Sequence, residues 1–123
     1  RAGLLYALGS IILTAKAHNV ITLDGVFNGI SDEDGLCSEA KEGKNMGYDG
    51  KTLIHPNQID ITNTVFSPSE KEIDMANKII EAYEKAKEEK SGVTTVDGVL
   101  VEELHVKQSL ALISKMKMIQ SMS

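Results

Sequence analysis

The chain of 123 residues has no tryptophan, one cysteine and two prolines, and aromatic residues make up only 4% of it. Each scarcity removes a class of protein. A single cysteine, Cys37, cannot form an internal disulfide, so the fold must be held by packing; it suits a reducing compartment. With so few aromatics, apolar burial must rest on Leu, Ile, Val, Ala and Met. Positive charge is also short: 13 Lys and Arg stand against 18 Asp and Glu, a net charge of -5 with a pI near 5.1. That balance opposes nucleic-acid binding, which needs a concentrated basic surface. No apolar run reaches the length of a membrane span. The apolar start from Gly3 to Ala17 has the look of a secretory h-region, but Lys16 and His18 close it and no small-residue cleavage pattern follows. It reads as a buried helix. Arg1 opens the chain without an initiator Met, as a processed or truncated piece would.

What is present is an alternation. Residues 2–18 read as a helix with Asn19 as its stop, and Val20–Leu23 as a β-branched strand of the fully buried kind, ended by Asp24-Gly25. Ser31 to Asp34 is acidic and cap-like and predicts a helix from about 33 to 46, closed by Gly47. Lys51–Ile54 is a second strand, and Pro56 opens a short helical turn. Ser69 with Glu72 is a capping box for a helix over about 70–90, whose apolar face is Ile73, Ala76, Ile80 and Tyr83. Ser91-Gly92 breaks it. Val93–Val96 and Val99–Val101 flank Asp97-Gly98, the pair suited to the two positive-φ positions of a type I′ hairpin. A last helix over about 103–119 places Val106, Leu110 and Ile113 at helical spacing. Helix, strand, helix, strand, helix is the order of an α/β fold with parallel strands. Two such strands leave apolar edges and faces uncovered, so the core is expected to close with strands from elsewhere.

Several short stretches, taken together, carry a resemblance. They are Thr14–Ala17, Leu23-Asp24-Gly25, Asp32 with Gly35-Leu36, Met46–Lys51, Ile54–Ile59, Phe66–Ser69 and Val96–Gly98. In this combination the chain resembles the C-terminal part of the citrate lyase β-subunit-like family, with its malyl-CoA and citramalyl-CoA lyases. The resemblance implies a (β/α)₈ TIM barrel, of which residues 1–68 would be the last part, with strands seven and eight at Val20–Leu23 and Lys51–Ile54. Residues 69–123 would be a C-terminal extension and helix-hairpin-helix lid. It implies cleavage or formation of the C–C bond of a 3-hydroxyacyl thioester, with coenzyme A thioester as substrate. Mg²⁺ would chelate the carboxylate and carbonyl oxygens and stabilise an enolate. The family's metal carboxylates and its active-site Arg lie upstream of this sequence, in the barrel portion it lacks. A homo-oligomer, trimer or hexamer, with lids near neighbouring active sites is implied as well, in the cytoplasm of a bacterium or the mitochondrial matrix of a eukaryote. The fragment alone is expected to be inactive.

Each candidate residue has two open readings. Asp24, Gly25 and Val26 sit at the end of a strand, where barrels build their sites, and form either a wall for the acyl-CoA or a plain strand-terminating turn. His55 and Pro56 either shape the site or anchor the loop, His55 through a backbone carbonyl and Pro56 as the first residue of the next turn. Asn57 and Gln58 read as capping groups. Glu102 follows the hairpin. In many relatives the matching place carries an Asp that enters a neighbouring subunit's site as an acid/base group, so Glu102 is the catalytic candidate, with Glu103 as competitor. The plain alternative is an acidic residue in a helix's first turn. The exchange of Asp for Glu also leaves open a thioester hydrolase, with a lid carboxylate directing water to the acyl carbon. His18 and His105 read as structural or solvated, Cys37 as a small core residue, and Met116, Met118 and Met122 as packing for the tail. No His/Cys spacing suggests zinc. The different-class alternative is an inert fragment that persists by packing on the rest of the enzyme or on itself.

Overall fold

The computed structural model describes residues 1–90 and 94–122. Ser91, Gly92 and Val93 lie outside the described residues, and with them the expected break after the long helix and the start of the first hairpin strand. The chain divides into two compact units, Arg1–Phe66 and Ser67–Ser123.

The first unit begins with a 3₁₀ turn, Ala2–Leu4, that runs into α1, Leu5–Ala17. Asn19 takes φ 55°, and the N–H groups of Asn19 and Val20 return to the carbonyls of Lys16 and Ala15 at 3.2 and 2.9 Å. This is a Schellman closure with Asn in the left-handed position. It delivers the chain into β1, Leu23–Asp24. Helix α2, Glu33–Met46, starts on Asp32, whose carboxylate accepts the Gly35 N–H at 2.9 Å. It ends in a second Schellman closure at Gly47, φ 111°, where Tyr48 N–H reaches the Gly43 carbonyl at 3.0 Å. A side chain at Gly47 would be strained at that φ. Next comes β2, Gly50–Lys51, which pairs in parallel with β1, Leu23 opposite Gly50 and Asp24 opposite Lys51. Asp49 N–H to Thr22 O and Thr52 N–H to Asp24 O, both 2.9 Å, prolong this ladder at its two ends. A 3₁₀ turn, Pro56–Gln58, leads into α3, Ile59–Phe66, which packs on α2. The core is Ile12, Ala40, Tyr48 and Phe66, flanked by Leu8, Met46 and Val65.

Three expectations change here. The paired strands are two residues each, displaced toward Asp24 and toward Gly50, rather than Val20–Leu23 and Lys51–Ile54. Nor are those runs fully buried: Ile21 is 76% and Leu23 61% exposed. Helix α1 buries Ile12 but leaves Tyr6 and Leu13 in the open. The physical reason is common to all three, because among the described residues the parallel pair has no strand on either side to cover its apolar edge and outer face. Cys37 is half-buried rather than in the core.

The second unit consists of α4 (Glu70–Glu88), the hairpin strands β3 (Thr95–Val96) and β4 (Val99–Leu100), and α5 (Glu103–Met122). Ser69 caps α4 by accepting the Glu72 N–H at 3.1 Å. Asp97 and Gly98 adopt φ 50° and 80°, the type I′ pattern, between antiparallel partners Thr95/Leu100 and Val96/Val99. Helix α4 packs along α5. On α5 the covered positions are Val106 and Ser109; Leu110 is 54% exposed, so the buried stripe runs one residue to the side of the expected one. Among the described residues no helix is long and apolar enough to cross a membrane.

Candidate functional site at the strand ends

The carboxyl ends of β1 and β2 lie side by side because the strands are parallel and in register at Asp24 and Lys51. Two loops leave from there, residues 25–32 and 52–55; with Asp24 at the end of β1 and Pro56 opening the following turn, they hold the strand-end candidates Asp24, Gly25, Val26, His55 and Pro56.

Asp24 is not open to a ligand. Its side chain is 1% exposed and receives a two-pronged contact from the Arg1 guanidinium, at 2.7 and 2.8 Å. It also accepts the Gly25 N–H at 2.8 Å and has the Lys51 ammonium at 3.4 Å. Burial pushes the Asp24 carboxyl up, but Arg1, Lys51 and the Gly25 N–H outweigh it and hold the group below its ordinary value of 3.8. The same contact with Asp24 raises Arg1 above its ordinary value against the opposing effect of burial. Gly43 of α2 makes room for this: a Cβ there would stand 2.6 Å from an Asp24 oxygen. Asp24 thus anchors the strand end from beneath, and the ligand-wall reading passes to its neighbours. At Gly25 an added Cβ would meet nothing within 4 Å, so this chain's own packing does not require a glycine there. Val26 is 40% exposed beside it.

Lys51 has a fully covered side chain. Its ammonium donates to the Gly25 carbonyl and to Glu39, both at 2.8 Å. Arg1 and Glu39, both partly exposed, complete an ionic group around the covered Asp24 and Lys51 that sequence reading missed. The signal was a lysine inside a short strand, which cannot be covered without partners.

His55 caps the 3₁₀ turn, its Nδ1 accepting the Asn57 N–H at 3.2 Å, with Pro56 as first residue of the turn. The anchor is therefore a backbone N–H rather than the carbonyl expected. With Nδ1 accepting, the neutral ring carries its proton on Nε2. Gln58 is no cap. It is 1% exposed and bridges the two loops: Ile54 N–H donates to its Oε1, and its Nε2 donates to the Phe27 carbonyl, both 3.0 Å. Asn57 donates to the Ile30 carbonyl at 3.0 Å.

Glu102 belongs to the second unit. It stands immediately before α5, its side chain exposed and, among the described residues, without a hydrogen bond. Its N–H donates to His105 Nδ1 at 2.9 Å, so His105 reaches back as the Glu of a capping box does. This gives His105 its structural role. Glu103 is the first residue of α5.

Among the described residues no group of three or more His, Cys, Asp or Glu side chains is arranged to hold a metal ion. With Asp24 already committed to Arg1, Lys51 and Gly25, the residues present do not fit a magnesium site.

A parallel strand–helix–strand unit with cross-linked loops at its carboxyl edge defines an α/β protein of the kind that binds ligands at that edge. The sequence profile of the HpcH/HpaI aldolase/citrate lyase family matches residues 2–56. It is 50% identical over 114 residues to a (3S)-malyl-CoA thioesterase of Cereibacter sphaeroides, covering 90% of this chain and 40% of that protein. It is 41% identical over 99 residues to citrate lyase subunit beta of Leuconostoc mesenteroides subsp. cremoris, covering 80% and 33%. The fold matches the crystal structure of CitE from Mycobacterium tuberculosis in complex with magnesium, acetoacetate and coenzyme A. The TM-score there is 0.73 at 24% identity, covering 91% of this chain and 40% of that one. The chain thus spans about 40% of the length of the first of these relatives.

Proposed function

We propose that the chain is the C-terminal part of a (β/α)₈ enzyme that hydrolyses the thioester of a short hydroxyacyl-CoA such as malyl-CoA. The observation that carries this is the 50% identity to the malyl-CoA thioesterase, sustained over 90% of the chain. Gly25 and Val26 form the wall against which the acyl-CoA lies, with His55 on the adjoining loop offering Nε2–H to an acyl oxygen. The strand-end geometry supports this, since those residues are open while Asp24 and Lys51 beneath them are saturated. Glu102 is the acid/base group. Its carboxylate draws a proton from the water that attacks the acyl carbon, and coenzyme A leaves as the thiol. Glu102 serves a neighbouring copy in a homo-oligomer. Magnesium, when bound, is held by residues outside the 123 and supplies charge stabilisation there.

A second reading, C–C cleavage of the same substrate, is favoured by the citrate lyase β relative. The products separate the two. The full-length protein with malyl-CoA is expected to release free thiol and malate in equal amounts. Glyoxylate with intact acetyl-CoA would overturn hydrolysis in favour of cleavage.

A further inference from the structure

The loop after β1 contains no helix or strand from Gly25 to Ser31, yet three of its carbonyls have side-chain donors, and all three donors come from one short stretch. Lys51 Nζ holds the Gly25 carbonyl at 2.8 Å, Gln58 Nε2 that of Phe27 at 3.0 Å, and Asn57 Nδ2 that of Ile30 at 3.0 Å. Gln58 ties the same point to the second loop through the Ile54 N–H. Two of the donors are covered: the Lys51 side chain is 0% and Gln58 1% exposed. The loop's other ordering bonds are the Gly25 N–H to Asp24 and two short backbone bonds, Ile30 to Asn28 and Asp32 to Gly29. The path of the first loop is therefore written largely by residues 51–58.

We infer that Lys51, Asn57 and Gln58 are positioning residues for acyl-CoA: they set the wall at Gly25 and Val26 and lock it in register with His55, without touching the ligand. This deepens the function proposed above and rests on it. A donor that places a wall acts on uniform binding, because the wall contacts the bound thioester alike before and during the reaction, and loss of uniform binding raises KM and leaves kcat nearly unchanged. A purely structural Gln58 would lower the melting temperature and leave the kinetic constants of the folded enzyme as they were.

The test uses the full-length enzyme and malyl-CoA. Gln58→Met keeps the volume and removes both polar arms. Gln58→Glu keeps the acceptor for Ile54 but turns an oxygen toward the Phe27 carbonyl. Both are expected to raise KM at least about 10-fold with kcat within about 3-fold of wild type. Asn57→Ala, at an exposed position, is expected to raise KM about 2- to 3-fold. Wild-type KM in folded Gln58 variants overturns the inference. If those variants do not fold, Asn57→Ala decides alone, and an unchanged KM there overturns it. Hydrogen exchange without ligand separates this from a failure of the proposed reaction. In Gln58→Met, or in Asn57→Ala should that not fold, amides 26–29 are expected to exchange faster than in wild type while α2 does not change. Equal exchange overturns the inference, whatever the wild type does to malyl-CoA.

Discussion

Beneath the strand ends of the first unit, Lys51 and Asp24 face each other with both side chains out of water, and Arg1 closes on the same carboxylate. In the second unit Lys78 and Asp97 face each other 3.9 Å apart with more than half of each side chain in solvent. The sequence treats these pairs alike, as Lys with Asp. Their physics differs, because charges removed from water are tolerable only when each has its full set of partners, whereas a surface pair is screened and loosely held. The first unit has used buried polar groups to order loops that lack regular structure. The second has used local rules, a cap, a type I′ turn and an amphipathic helix packed along a second one.

The largest effect should follow from breaking the buried set. Asp24→Ala in the full-length protein takes from Arg1 its two-pronged partner and leaves the covered Lys51 ammonium with Glu39 as its one carboxylate, and is expected to cost about 3 kcal/mol. Lys78→Ala in the second unit should stay within about 0.5 kcal/mol. Urea unfolding of both variants checks the pair, and similar losses would erase the distinction drawn here.

Next comes Glu102→Gln, which keeps shape and removes the proton-transfer group. Turnover is expected to fall at least about 100-fold with little change in acyl-CoA affinity, within the range of general acid–base catalysis. If Glu102 only precedes a helix, steady-state rates will stay near wild type and stability will move by about 0.3–1 kcal/mol.

Gly43→Ala sharpens the comparison from the packing side. In an ordinary helix interior this change gains about 0.5–1 kcal/mol. Here the new methyl meets Asp24, so a loss of about 1–3 kcal/mol is expected by thermal unfolding. A gain would show that the carboxylate can step aside.

The smallest effect is the acid limb. Burial raises the Asp49 carboxyl, but the Thr22 N–H and Lys16 outweigh it, and like Asp24 it sits below 3.8 in the folded state. On acidification the unfolded chain therefore takes up these protons first. The stability from both groups is complete above the unfolded value and is lost as pH falls through the lower folded values. Urea midpoints should hold from pH 7 to about 5 and drop below 4, and Asp49→Asn should flatten part of that drop.

The contrast between local rules and long-range contacts also explains what was legible. Ser69 with Glu72, Gly47 and Asp97-Gly98 act within a few residues, and each did in the structure what its chemistry dictates. Helix α3 was hidden. Ile59, Ile61, Thr62, Thr64 and Val65 are β-branched and weak helix formers, and the helix exists because Thr62 and Phe66 are covered where it packs on α2. Strand length was equally out of reach, since it is set by the strands that pair on either side and not by the run of residues itself. Of the candidate site, the location at the strand ends was readable from Asp24-Gly25 and His55-Pro56. The role of Gln58 was not, because no periodicity marks a single buried amide that joins two loops.

The most direct test of the strand-end site is a footprint of coenzyme A on the full-length enzyme by hydrogen exchange. Bound coenzyme A should slow exchange in residues 25–31 and 54–58 above all other segments of the 123. Protection elsewhere, with these two loops exchanging as they do without ligand, would contradict the placement of the site.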